Sequence, residues 1–247
     1  MTKIKGVFLS DLHMPENINL KPIIDYISDL KPDLIILGGD IIDAKGLHGL
    51  DSRPLSSFDS SWYDRDCILL SKLLVDLHMA SPKAKFVYLE GNHEERYTRL
   101  MVKYPKVLKG RFNFIRDCTN ASMNIKWIPY ATYESFYRLG DTVFMHGKDY
   151  PDLHAKKYAI DNAGLKCIYG HLHHYQSYTT RTSIAVKRPH YAVTVGCLST
   201  TKPEWKKGAP NQWVNGFVSF VYDGKTVLPQ VHLIEKGKFY VGGKEYK

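Results

Sequence analysis

Five short apolar runs, each followed within three residues by a side chain able to bind a metal, constrain this chain more than any other feature. Val7-Phe8-Leu9 leads to Asp11-Leu12-His13, and Leu34-Ile35-Ile36-Leu37 to Gly39-Asp40-Ile41-Ile42-Asp43. Phe86-Val87-Tyr88-Leu89 leads to Gly91-Asn92-His93-Glu94, Val143-Phe144-Met145 to His146-Gly147, and Cys167-Ile168-Tyr169 to Gly170-His171-Leu172-His173. Runs of this length are typical of buried strands. In open α/β sheets, sites form in the crevice beyond the carboxyl ends of the strands. Taken singly, each patch has a plain explanation. An Asp-x-His triplet is commonly a surface pair, a Gly-Asn-His a turn, and a Gly-His-x-His an exposed loop. Five strand ends in series that all deliver ligand-type residues are hard to explain that way.

The residue types fit one chemistry. Carboxylates, an amide and imidazoles, with no thiolate among them, suit hard and borderline divalent metals. Alternate residues of an extended segment point the same way, so Asp11 and His13 can converge on one ion. His171 and His173 share that spacing, although a turn could send them to neighbouring ions. One carboxylate shared by two cations roughly 3.5–4 Å apart screens their repulsion and leaves a bridging position for hydroxide, a nucleophile at neutral pH. Asp43 either accepts a hydrogen bond from His93 and fixes its orientation, or is the carboxylate of a helix N-terminus.

This pattern is similar to the calcineurin-like metallophosphoesterase superfamily, whose members include phosphoprotein phosphatases, cyclic-nucleotide phosphodiesterases and nucleases. The matching motifs run from Asp11 to His173. The resemblance implies an α/β fold, a four-layer αββα sandwich, and a dinuclear centre. It implies that Asp11, His13 and His173 hold one metal, that Asn92, His146 and His171 hold the other, and that Asp40 bridges them. His93 would stand beside the metals as general acid or transition-state stabiliser. The expected cofactors are two divalent ions, manganese foremost, with nickel, iron or zinc as alternatives. Phosphoprotein phosphatases usually carry Arg where this chain has Ala44, and a small or hydroxyl residue where it has His173. The Gly-His-x-His ending is closer to the phosphodiesterase and nuclease branches, whereas Glu94 is commoner among phosphatases. The expected activity is hydrolysis of phosphodiesters of nucleic acid or nucleotides by a bridging hydroxide. The alternative is a phosphomonoesterase acting on phosphoprotein or a small phosphorylated metabolite.

Composition bounds the rest. At 247 residues, 44% hydrophobic and 24% charged, the chain fits one soluble globular domain over 1–247, with a motif-bearing core at 1–175 and a strand-rich tail at 176–247. No apolar stretch is long enough to span a bilayer, so no membrane partner is expected. The first strand, at 3–9, runs into Asp11 and is expected to belong to the fold rather than to a cleavable signal. Cys67, Cys118, Cys167 and Cys197 show no paired spacing, which reads as reduced thiols in a cytoplasmic protein. Helical spacing predicts helices at 20–30 and 64–80, the second with Leu69, Leu70, Leu73, Leu74 and Leu77 as its core stripe and Met79 packed. Residues 44–63 read as a long loop beside Asp40, and 175–246 as antiparallel strands.

The formal charge of +9 is concentrated. Between Arg96 and Lys126, the eight basic residues Arg96, Arg99, Lys103, Lys106, Lys109, Arg111, Arg116 and Lys126 stand against one acid, Asp117. On a helix, Arg96, Arg99 and Lys103 share a face, and a basic face near a phosphoester site attracts polyanions. Tyr97, Tyr104, Phe112 and Phe114, interleaved there, either stack on unpaired bases or are buried. His174 either touches substrate or lies at the surface, and His48 is a candidate part of a substrate lid. His78, His154, His190 and His232 read as structural or exposed. Pro210-Asn211-Gln212-Trp213 resembles a turn of phage-encoded members of the superfamily, and Trp213 either lines the pocket or packs in the core.

Overall fold

The computed structural model describes residues 3–49, 54–108, 110–119, 123–148, 152–162, 164–180 and 189–247. Three of the five apolar runs lie in one sheet and two in another. In the first, β1 (Ile4–Leu9), β2 (Leu34–Leu37), β3 (Lys85–Leu89) and β4 (Ile125–Ile128) run parallel in that order. The second sheet holds β5 (Phe136–Leu139), β6 (Thr142–Met145), β7 (Lys166–Tyr169), β8 (Tyr175–Thr180) and β9 (His190–Val195). Its spatial order is β5-β6-β7-β9-β8, with β6, β7 and β9 parallel and the two edge strands antiparallel to them. β10 (Asn215–Tyr222) and β11 (Val227–Ile234) extend the first sheet antiparallel beyond β1, and β12 (Phe239–Val241) pairs with β13 (Lys244–Tyr246) in a separate hairpin.

Strand alternation builds the layers. Phe8, Ile36 and Val87 of the first sheet share one buried cluster with Phe144, Ile168 and Val193 of the second, so the sheets pack face to face. The intervening Val7, Leu9, Ile35 and Leu37 turn outward onto Ile23 and Ile27 of α1 (Lys21–Leu30) and Leu70, Leu74 and Leu77 of α2 (Ser61–Ala80). α3 (Glu95–Lys103), α4 (Pro105–Leu108) and α5 (Phe114–Cys118) follow β3. On the far side, Val143, Cys167 and Tyr169 pack against Tyr158 and Ala159 of α6 (His154–Asp161). The result is the four-layer αββα sandwich. Strands buried on both faces must be apolar at every position, which is why they read as continuous runs.

Local chemistry shifts two boundaries. The Asp59 carboxylate accepts the Ser61 N–H at 2.9 Å, so α2 begins at Ser61 and not at 64. The loop expected at 44–63 carries 3₁₀ turns at Lys45–Leu47 and Leu55–Ser57, and residues 50–53 lie outside the described residues. Met79, expected to pack, is exposed. In the stretch 176–247, β9 runs parallel to β7 and β10 lies on β1, so it completes both sheets. The four cysteines are free and buried. No helix of the described residues is long and apolar enough to cross a membrane.

Candidate metal centre

All five strand ends meet in one crevice. Asp11, His13 and His173 form one group whose ligand atoms lie within 4.8 Å of one another, and Asp40, His146 and His171 form a second. Asn92 joins the second group, its Oδ1 being 3.0 Å from His146 Nε2. Asp40 Oδ2 faces both groups, 3.7 Å from His13 Nε2 and 3.4 Å from His146 Nε2. The His171 and His173 side chains part into the two different groups.

The convergence expected from an extended pair at Asp11 and His13 is produced differently. Asp11 (φ 57°), His13 (48°), Asp40 (50°), His171 (76°) and His173 (58°) all have left-handed backbone. They make up five of the nine such non-glycine residues among those described. Each conformation costs roughly 1–3 kcal/mol and persists only where its surroundings hold it. Here the strand-end loops are zipped together: the Asp11 N–H donates to Gly39 O at 3.0 Å and the His13 N–H to Asp40 O at 2.9 Å. The His171 N–H donates to the Asp11 carboxylate at 2.9 and 3.0 Å. Gly91 and Gly170 allow the close approach, because a Cβ there would collide with the Asp40 and Asp11 carboxylates respectively.

The residue that does most to fix the Asp40 loop was not predicted as a site residue. Glu94 is fully buried, and its Oε2 accepts the Asp40 and Gly91 N–H groups at 3.0 and 2.9 Å. Its Oε1 accepts Ile41 N–H at 2.7 Å, Ile42 N–H at 3.3 Å and the Tyr88 hydroxyl at 2.8 Å. One carboxylate thus clamps the loop after β2 to the turn after β3.

The electrostatics suit cations. His146 Nδ1 faces Gly38 O at 2.8 Å, which directs its Nε2 into the crevice. Burial opposes a charge on His146, but Asp40 and Asp11 outweigh it and push its pKa up to about 9. His171 is pushed down to about 4, by burial first and then by His146, so its ring is neutral. Burial likewise opposes ionisation of Asp40, yet His146, His93 and His13 hold it well below the usual carboxylate range. His13 Nε2 and His173 Nε2 face each other at 3.1 Å. With His13 Nδ1 turned to Asp43 Oδ1 at 3.3 Å, the His13 Nε2 lone pair points at His173 Nε2, and either the Nε2–H tautomer of His173 or a cation shared by the two rings satisfies it. The residues present therefore fit divalent ions in both groups.

His93 stands beside these groups, its Nε2 3.8 Å from Asp40 Oδ2. Its Nδ1 lies 2.7 Å from Asp43 O and 3.1 Å from Asp43 Oδ1. Burial works against protonation of His93, but Asp40 and Asp43 outweigh it and raise the pKa. Asp43 lies just before the 3₁₀ turn at Lys45–Leu47, and its carboxylate serves His13 and His93 rather than a helix N-terminus. Burial opposes its ionisation as well, and the hydrogen bonds from those two rings hold it below the usual range.

The expected substrate residues divide. Arg96 lines the cavity above the centre, but its Nη1 donates to Asp43 O at 3.0 Å and its Nη2 lies 3.1 Å from His93 Nε2, so it is committed to the His93 assembly. Arg99 and Lys103 are exposed on α3 outside the cavity lining. His174 is turned away: its ring lies 5.7 Å from that of His154, and it does not line the cavity. Tyr97, Phe112 and Phe114 are buried in the core and offer no faces to bases, and Tyr104 is partly buried against it. Aromatics on the apolar side of a basic helix have the same sequence spacing as a stacking platform. Lys109 lies outside the described residues.

Three of the other histidines have local partners. His154 faces the Tyr169 hydroxyl at 2.6 Å, His190 faces Ala159 O at 2.8 Å and His232 faces Ser219 Oγ at 2.7 Å. His48 and Trp213 do line the cavity, and so does Trp205, which the sequence pattern did not single out.

The sequence profile of the calcineurin-like phosphoesterases matches residues 4–193, and the chain belongs to that family. The family uses divalent metals. Among solved structures, vacuolar protein sorting 29 (Vps29) from Cryptosporidium parvum is 12% identical with a TM-score of 0.53, over 100% of this chain and 99% of that one. Vps29 from Entamoeba histolytica in complex with zinc is 9% identical with a TM-score of 0.50, over 99% of this chain and 100% of that one. At these identities the likeness is one of fold. No curated protein matches the chain.

Proposed function

We propose that this metal-dependent phosphoesterase hydrolyses phosphodiester bonds of nucleotides or nucleic acid at a centre of two divalent ions, manganese foremost. The carrying observation is Asp40 Oδ2, which lies between two groups of ligand atoms and within 3.8 Å of His93 Nε2. Asp11, His13 and His173 would hold one ion, and Asn92, His146 and His171 the other, with Asp40 shared. When bound, such ions lower the pKa of water to near neutrality and neutralise the phosphate charge. His93, whose pKa Asp40 and Asp43 raise against burial and the neighbouring Arg96 guanidinium, would donate to the leaving oxygen, and Asp43 holds its ring in position. The diester reading is supported by a cavity of about 720 Å³ above the centre, far more than one phosphate fills. It is also supported by Arg96, whose commitment to His93 and Asp43 leaves no arginine among the described lining residues aimed to clamp a dianionic monoester. A polyanion reaching out of the cavity would run past Arg99 and Lys103. A cytoplasmic location is part of this reading, and the four buried free thiols support it.

Hydrolysis of bis-p-nitrophenyl phosphate and of the mono-ester, measured with manganese, tests this reading. The diester is expected to be the better substrate. His93→Ala is expected to lower turnover by about 10²–10³-fold while the metal content stays that of the wild type. Faster mono-ester hydrolysis would support a phosphomonoesterase. A His93→Ala protein with full activity, or one short of a metal, would remove the assigned role.

A further inference from the structure

One wall of the cavity carries more exposed aromatic surface than a phosphate centre needs. Trp205 is 70% exposed, although it lines the cavity together with Trp213. Trp213 is partly committed, its ring centroid 4.2 Å from that of His173. Trp205 stands further out, 5.9 Å from Trp213. The Lys206 ammonium lies 5.3 Å from the Trp205 ring and 4.7 Å from the Trp213 ring. The wall therefore presents an indole face and a positive charge beside the first group of ligands.

The loop is built to hold this display. Trp205 sits in a 3₁₀ turn, Glu204–Lys206, that ends at Lys207 in left-handed conformation (φ 47°). Lys207 N–H donates to Glu204 O at 2.9 Å and Ala209 N–H to Lys206 O at 2.8 Å. Asn211 then closes the loop: its Nδ2 donates to Thr201 O at 2.9 Å and its Oδ1 accepts the Trp213 N–H at 2.9 Å. Such bonding keeps a large apolar side chain in water beside a polar site, where burial would otherwise be favoured.

We propose that Trp205 is a nucleobase platform: the base of a substrate nucleotide stacks on its indole while the phosphate reaches the ligand groups, with Lys206 steadying the negative charge between them. This rests on the nucleotide reading above and moves base recognition from the basic helix α3 to the 204–213 loop. A flat π-face accepts any base, so the subsite selects nucleotides over base-free phosphate esters without reading sequence.

Calorimetric titration of AMP and of ribose 5-phosphate into the manganese-loaded His93→Ala protein, chosen to bind without turning over, tests it. AMP is expected to bind about 5- to 150-fold more tightly than ribose 5-phosphate. Adding Trp205→Ala should close most of that gap and leave ribose 5-phosphate affinity unchanged, whereas Trp205→Phe should retain it. Equal affinities with Trp205 in place, no AMP binding, or equal weakening of both ligands by Trp205→Ala would overturn the proposal. Failure of the diester reading would appear instead in the nitrophenyl ester assays.

Discussion

Asp40→Asn is expected to abolish most hydrolysis, by about 10³-fold or more, while the protein stays folded. The neutral amide keeps an oxygen for the His93 N–H, which the carboxylate now accepts at 2.9 Å. What disappears is the negative charge facing His13 and His146. Two cations held side by side would then repel with no shared counter-charge, and the several kcal/mol of transition-state stabilisation that such ions supply would be lost with them. Circular dichroism should be unchanged, and metal affinity should fall at both positions. His173→Ala should weaken only one. An Asp40→Asn protein with wild-type turnover would show that Asp40 is not shared.

The second large effect is on the fold around that residue. Glu94→Ala leaves the N–H groups of Asp40, Ile41, Ile42 and Gly91 and the Tyr88 hydroxyl without their acceptor in a buried place. A buried donor left unsatisfied costs about 1–3 kcal/mol. Even with relaxation and water entry, a total of about 4 kcal/mol is expected, or a drop in Tm of roughly 8–16 °C for a domain of this size. Glu94→Gln should recover only part, because its amide N–H₂ would face donors. A Tm within a degree or two of wild type for Glu94→Ala would mean that the clamp is not what holds the left-handed Asp40.

Much of this site was legible in the sequence, for a physical reason. Strands buried on both faces must be apolar throughout, and their ends must carry the polar groups, so β1, β2, β3, β6 and β7 announced both the sheets and the crevice. The helical stripes of α1 and α2 were visible in the same way. The local devices were hidden. Nothing in Asp11-Leu12-His13 shows that both residues leave the strand in left-handed conformation, because that strain is imposed by the loops zipped across it. Glu94 looked like one letter of a motif because its partners are backbone N–H groups, which every sequence has. The aromatics of 97–114 misled for the opposite reason, since burial and base stacking ask for the same residues. Trp205 joins the cavity only through the return of the chain after β9. The Trp205-Lys206-Lys207 triplet beside Pro210-Asn211-Gln212-Trp213 was the available signal.

If one carboxylate, Asp40, organises two metal positions, the metal content of the pure protein shows it most directly. After loading with manganese and removal of excess, two ions per chain are expected for the wild type. A content of no more than one ion per chain in the wild type would contradict it.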